Sequence, residues 1–181
     1  MASATRAASL NPPAAGRFAV LVGFAVLVNG GIQVIEGPAG SALHDTVTNG
    51  GVEVVFHFSQ YSTLNNGTEV VWSGAYSTNN LINGFGFELV LGSSYSDQIN
   101  SGGAQFVVSG GRVSFEHINS GGVQLTPGGF DSEVAVEDQI FAGGGVIVSA
   151  GGEDAFSDIF GTEIILSGGN VLGTIIERGG T

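Results

Sequence analysis

Three glutamates, Glu53, Glu69 and Glu88, occupy the same step of a recurring short unit. Each stands two places after a glycine and one before an apolar residue, in GVEV, GTEV and GFEL. Gln33, Gln105, Gln124 and Glu163 hold that step in other copies of the unit. If the units stack as strands, neighbouring members lie roughly 5 Å apart. Two carboxylates at that separation are what a retaining glycosidase uses. Such chemistry also needs a cleft and unlike surroundings for acid and nucleophile, and a ladder of like positions supplies like surroundings. The reading favoured here is therefore a solvated, outward polar ladder that serves binding, with no catalytic residue. Like charges so close raise at least one carboxyl pKa.

What positions the ladder is a repeat. The unit Gly-X-Gln/Glu-apolar-apolar places its leading glycine at Gly31, Gly51, Gly67, Gly86, Gly103, Gly122, Gly145, Gly161 and Gly180, at intervals of 16 to 23 residues, about 19 on average. A period this short without helical amphipathicity predicts an all-β solenoid of about nine turns, one per unit. Three places after the glycine stand Val34, Val54, Val70, Leu89, Phe106, Leu125, Val148 and Ile164. Alternation along a strand assigns this column to the core and the polar column before it to solvent, with Ile147 as the exception. A second inward column, Val47, Leu64, Ile82, Ile99, Ile118, Ile140, Ile159 and Ile176, precedes the glycines. Each turn thus holds at least two short strands, with corners at pairs such as Asn49-Gly50, Ser101-Gly102 and Gly110-Gly111, where Gly and Asn tolerate the bend.

Composition narrows the function classes. The chain has 181 residues, 43% of them hydrophobic, enough for a real core. Its 32 glycines follow no Gly-X-Y period, which excludes collagen. Sixteen acidic residues face four arginines and no lysine, for a formal net charge of −12. That balance argues against nucleic acid and anionic headgroups as partners. Cysteine is absent, which removes disulfides and thiolate chemistry. No cofactor or metal is expected.

The units NSGGAQFVVSGG, NSGGVQLTPGG and TNGGVEVVF resemble the AIDA-type repeat of autotransporter adhesin passengers, in which two Ser-Gly-Gly corners flank a short apolar strand. The resemblance covers about residues 29–181 and is strongest over 99–129. It implies a right-handed parallel β-helix on the exterior of a Gram-negative outer membrane, engaged in adhesion or self-association with a host-surface or extracellular ligand. Such passengers are followed by a membrane barrel, and the repeats here run to Thr181, so the expectation is a fragment, a truncated reading frame or a repeat protein whose partner segments lie elsewhere. Relatives of this type are O-glycosylated by heptosyltransferases. By resemblance, the corner residues Ser73, Ser101, Ser109, Ser120, Ser149 and Ser167 are acceptors, although their role in turns already accounts for them.

Residues 1–28 form a separate N-terminal segment. Residues 18–28 (FAVLVGFAVLV), preceded by two arginines, are too short to span a bilayer and suit a signal-peptide core, with Gly40-Ser41-Ala42 as cleavage region. The competing reading makes Val26, Leu27 and Val28 the first rung. Asp131, Glu133, Glu137, Asp138, Glu153 and Asp154 follow glycine-rich turns, where oxygen-rich loops suit a hard cation such as calcium. The third glycine of the calcium-binding nonapeptide is missing, and no site is assigned. His44, His57 and His117 share no column and read as solvated or packing residues. Phe56, Phe58 and Trp72 read as core, with an exposed aromatic patch as the second choice, and Asn66-Gly67-Thr68 reads as a turn before it reads as a glycosylation sequon. The alternatives to an adhesin are a carbohydrate-active β-helix enzyme using Glu53, Glu69 and Glu88, or a structural spacer.

Overall fold

The computed structural model describes residues 8–10, 18–20, 26–36, 40–108, 110–127, 130–131 and 138–181. Strands of two to five residues stack into three parallel sheets. The first has ten strands, from Ala8–Leu10 and Val26–Asn29 to Ile175–Ile176; the second has nine, from Phe18–Val20 to Thr162–Ile165; the third has eight, from Ser41–Leu43 to Asn170–Leu172. Each turn thus contributes three strands. The result is the expected right-handed parallel β-helix, with about eight turns. Strand pairing continues into the N-terminal segment, where Ala8–Leu10 pairs with Val26–Asn29 and Phe18–Val20 with Ile32–Ile35.

The first sheet behaves as its sequence predicts. Val28, Val47, Leu64, Ile82, Ile99, Ile118, Ile140 and Ile159 stack in one fully buried column, and only Ile176, on the last strand, is exposed. Burying a Val, Leu or Ile side chain stabilises by about 1.5–3 kcal/mol, so this spine is the main cohesive element.

The second sheet corrects the sequence reading. Its register aligns Gln33, Glu53, Glu69, Glu88, Gln105 and Gln124 on successive strands, and all six are buried. The polar column faces inward. The column expected in the core, from Val34 through Leu125, faces outward and is only half-buried. The parity is set at the corner. A side chain at Gly103 would strike the carbonyl oxygen of Ile82 on the preceding turn, and Gly51, Gly86 and Gly122 meet the corresponding carbonyls in the same way. The leading glycine therefore points inward against backbone, and alternation carries the second and fourth residues after it inward as well. Those fourth residues include Ile35, Val55, Val71, Val90 and Val107, all fully buried.

One glycine was also misassigned. Gly144 packs against the Ile118 carbonyl, so Gly144 leads its turn and Gly145 lies within the strand Gly145–Ser149. Gln124 consequently pairs with Val146, not Ile147. Val146 and Val148 are buried, and Ile147 joins the outward column.

Candidate functional site

The inward column of the second sheet meets a polar column at the corner between the third and first sheets. His44, Tyr61, Asn79, Ser96, Phe115 and Phe156 occupy this corner at φ between 57° and 66°. That left-handed conformation turns the next residue's N–H into the interior, away from any strand ladder. A side chain one turn further on accepts it. The Ser62 N–H donates to Asn80 Oδ1 (2.9 Å), the Asn80 N–H to Asp97 Oδ1 (2.8 Å), the Asp97 N–H to Glu116 Oε2 (2.7 Å) and the Glu116 N–H to Asp138 Oδ1 (2.6 Å). Burying a backbone donor unpaired costs about 1–3 kcal/mol, which is why polar groups recur here.

Bonds between the two columns, along the second-sheet column and to the inward serines of the third sheet join the interior into one network. Gln33 Nε2 donates to Asp45 Oδ2 at 2.8 Å and Ser59 Oγ to Glu53 Oε1 at 3.2 Å. Asn80 Nδ2 reaches Glu69 Oε2 at 2.9 Å, and Ser94 Oγ reaches Asp97 Oδ2 at 2.6 Å. Gln105 Nε2 donates to Glu88 Oε2 at 2.7 Å, and Gln124 Nε2 to Gln105 Oε1 at 2.9 Å.

Among the described residues eight acidic side chains are buried: Asp45, Glu53, Glu69, Glu88, Asp97, Glu116, Asp138 and Asp154. Among the described residues no arginine or histidine is buried with them. Isolated carboxylates are too costly to hold charged in such a place, and they take up protons instead. Burial, then the charge of Asp45, pushes Glu53 up to about 8. Glu69, Glu88 and Glu116 are pushed well above the ordinary glutamate range by burial and by their acidic neighbours. Burial raises Asp97 and Asp154 as well. Glu163, half-buried on the last strand of the sheet, rises to about 8 through burial and contact with Asp154. The formal charge of −12 therefore overstates what the folded surface presents near neutral pH.

This geometry removes the polar ladder as an outward binding face. Gln33, Glu53, Glu69, Glu88, Gln105 and Gln124 have 1% exposure or less and cannot meet a partner. The candidate acceptors fare differently: Ser73, Ser101, Ser120 and Ser167 are exposed at corners and Ser149 is half-buried, while Ser109 lies outside the described residues. Of the calcium candidates, Asp138 and Asp154 are buried in the polar interior and Glu153 is half-buried. The side chains of Asp131, Glu133 and Glu137 lie outside the described residues. Among the described residues no cluster of three His, Asp or Glu has the arrangement of a metal site.

The aromatic residues are not core. Phe56 and Trp72 sit on adjacent turns at the corner after the second sheet, 41% and 46% exposed, with ring centroids 5.7 Å apart. Phe58 stands in the outward-facing row of the third sheet, between Ser41 and Tyr76, and does not share a strand with Phe56. His44 stacks on Tyr61 at 4.9 Å and His117 on Phe141 at 6.2 Å, pairs formed between neighbouring turns. These stacks escaped the sequence reading because the irregular intervals hide which residues share a column.

Fold and surface together define a right-handed parallel β-solenoid with a largely hydrogen-bonded acidic interior and aromatic and serine-bearing corners. No family model matches the sequence, and no curated protein matches it. Among solved structures, the chain is similar to the crystal structure of a hyper-glycosylated TibA fragment (residues 55–350 of that protein), whose glycosylation is catalysed by TibC. The two share 25% identity and a TM-score of 0.67, over 89% of this chain and 75% of that one.

Proposed function

We propose that the chain is an adhesin-like repeat domain of the autotransporter-passenger type, carrying AIDA-type repeats, displayed outside the outer membrane and mediating adhesion or self-association. The observation that carries this reading is the likeness to the TibA fragment along almost the whole chain. The neighbour's glycosylation extends the proposal: the exposed corner serines Ser73, Ser101, Ser120 and Ser167 are acceptors for a glycosyltransferase of the same kind. A catalytic role for Glu53, Glu69 and Glu88 is disfavoured, because a saccharide cannot reach carboxyls with no exposure.

The test is display of the domain ahead of a translocator barrel on a Gram-negative host without adhesins of its own. Cell sedimentation and attachment to cultured cells should both rise over the barrel alone; no change in either would leave the domain a spacer. Co-expression with TibC should add glycosyl increments to the intact mass, and replacing the four serines by alanine should remove most of them. An unmodified mass would end the acceptor assignment.

A further inference from the structure

The outer face of the second sheet differs from the rest of the surface. Its outward rows run from Ile32 and Val34 to Thr162 and Ile164, and every position between is apolar or an uncharged Thr or Gly. Val54, Val70, Leu89, Phe106, Leu125 and Ile147 form the centre of this face, each half-buried by its neighbours within the sheet and open above. Phe87 and Phe106 lean together across it with centroids 5.9 Å apart. Along one border Phe56 and Trp72 extend the apolar surface.

Eight strands about 4.8 Å apart and four residues wide give a face of roughly 35 by 13 Å, or about 450 Å². That is as large as the biggest apolar patch on an ordinary monomer, and such patches mark interaction sites.

We infer that this face is the surface on which two copies of the chain dock, outer sheet against outer sheet. The inference rests on the self-association branch of the proposed function and specifies its contact. Three features favour a second copy as occupant. The two faces together bury about 900 Å², and the Phe56 and Trp72 border brings this to the roughly 1,000 Å² that a specific interface needs. The face carries no charged side chain, so two copies approach on it without opposing carboxylates.

The face also complements itself. Phe87 stands beside Ala104 on the adjacent strand. A two-fold axis along the strand direction, midway between these strands, lays the rods antiparallel and seats each copy's Phe87 over the other's Ala104, as an isologous contact requires.

The experiment is sedimentation velocity on the purified chain across a concentration series, with Leu89→Asp, Phe106→Asp and, as control, Thr78→Asp on the outer face of the third sheet. Far-UV circular dichroism and the melting temperature verify folding, and Leu89→Ser replaces Leu89→Asp if that variant fails to fold. The wild type and Thr78→Asp should dimerise alike, and each change on the second sheet should weaken dimerisation at least tenfold. A wild type that stays monomeric into the millimolar range, or dimers indifferent to the second-sheet changes, would overturn the inference. Displaying Leu89→Asp on cells separates the two readings: adhesion or aggregation that persists leaves the adhesin reading standing without this interface, and a wild type that does neither removes both.

Discussion

The two faces of the second sheet are made by the same strands yet reverse the usual distribution of polarity. In Val52–Val55 the inward residues are Glu53 and Val55 and the outward ones Val52 and Val54; Phe87–Val90 and Ala104–Val107 repeat the pattern with Glu88 and Gln105 inside. The first sheet, by contrast, keeps Val, Leu or Ile inside from Val28 to Ile159. The difference teaches that parity in a solenoid is decided at the corner. A glycine that must lie flat against the preceding turn fixes which way its strand alternates, and the interior then has to satisfy whatever that alternation brings in. Here a matching polar column pairs one oxygen of each of Glu53, Glu69 and Glu116 and leaves the other without a partner, a setting in which burial favours the protonated carboxyl.

The largest effect should come from breaking the device that sets parity. Gly103→Val places atoms against the Ile82 carbonyl, and chemical denaturation should show a loss above about 4 kcal/mol, or no folded protein at all. A smaller contrast separates core from outer face. Ile99→Ala, in the buried spine, should cost about 2–5 kcal/mol, whereas Leu89→Ala on the outer face should cost under about 1 kcal/mol in the monomer. Equal losses would mean that the outer face is packed against something within the same chain.

The interior should then show itself in the pH dependence. Glu53 titrates near 8 in the folded chain against 4.5 for an ordinary glutamate. The folded state therefore binds the proton more tightly, and the stabilisation is fully present below about 4.5 and lost as the pH rises to about 8. Glu69, Glu88 and Glu116 act in the same direction. The melting temperature should fall between pH 5 and pH 8, opposite to the trend for salt-bridged carboxylates. Glu53→Gln, which keeps an acceptor for Ser59 and removes the proton, should flatten that slope. A melting temperature that rises across this range would contradict a protonated interior.

Much of the fold was legible because stacking repeats the same demand at each turn. The isoleucine column and the corner glycines identified a parallel solenoid without any knowledge of the third strand. That strand was hidden because its inward residues are Ser59, Ser77 and Ser94, small and polar, which carry no apolar periodicity. The orientation of the glutamates was misread for a related reason. Two adjacent columns are almost equally apolar, the outward Val54, Val70 and Leu89 and the inward Val55, Val71 and Val90, so hydrophobicity alone does not choose between them. The deciding clues were the uninterrupted glycine column and the recurrence of Asp45, Ser62, Asn80, Asp97 and Glu116 directly after the left-handed corner residue. Both report on backbone donors and close approach, which a count of apolar residues does not register.

The absence of cysteine from the chain permits a direct test of the inverted faces. Single cysteines replacing Glu69 and Val70, neighbours on one strand, are exposed to a soluble thiol reagent under native conditions after circular dichroism has verified folding. With position 69 inside and 70 outside, the cysteine at 70 should react at the rate of an accessible thiol and the one at 69 at least about 100-fold more slowly, limited by local opening. Equal rates, or faster labelling at 69, would contradict the buried carboxyl ladder on which the account depends.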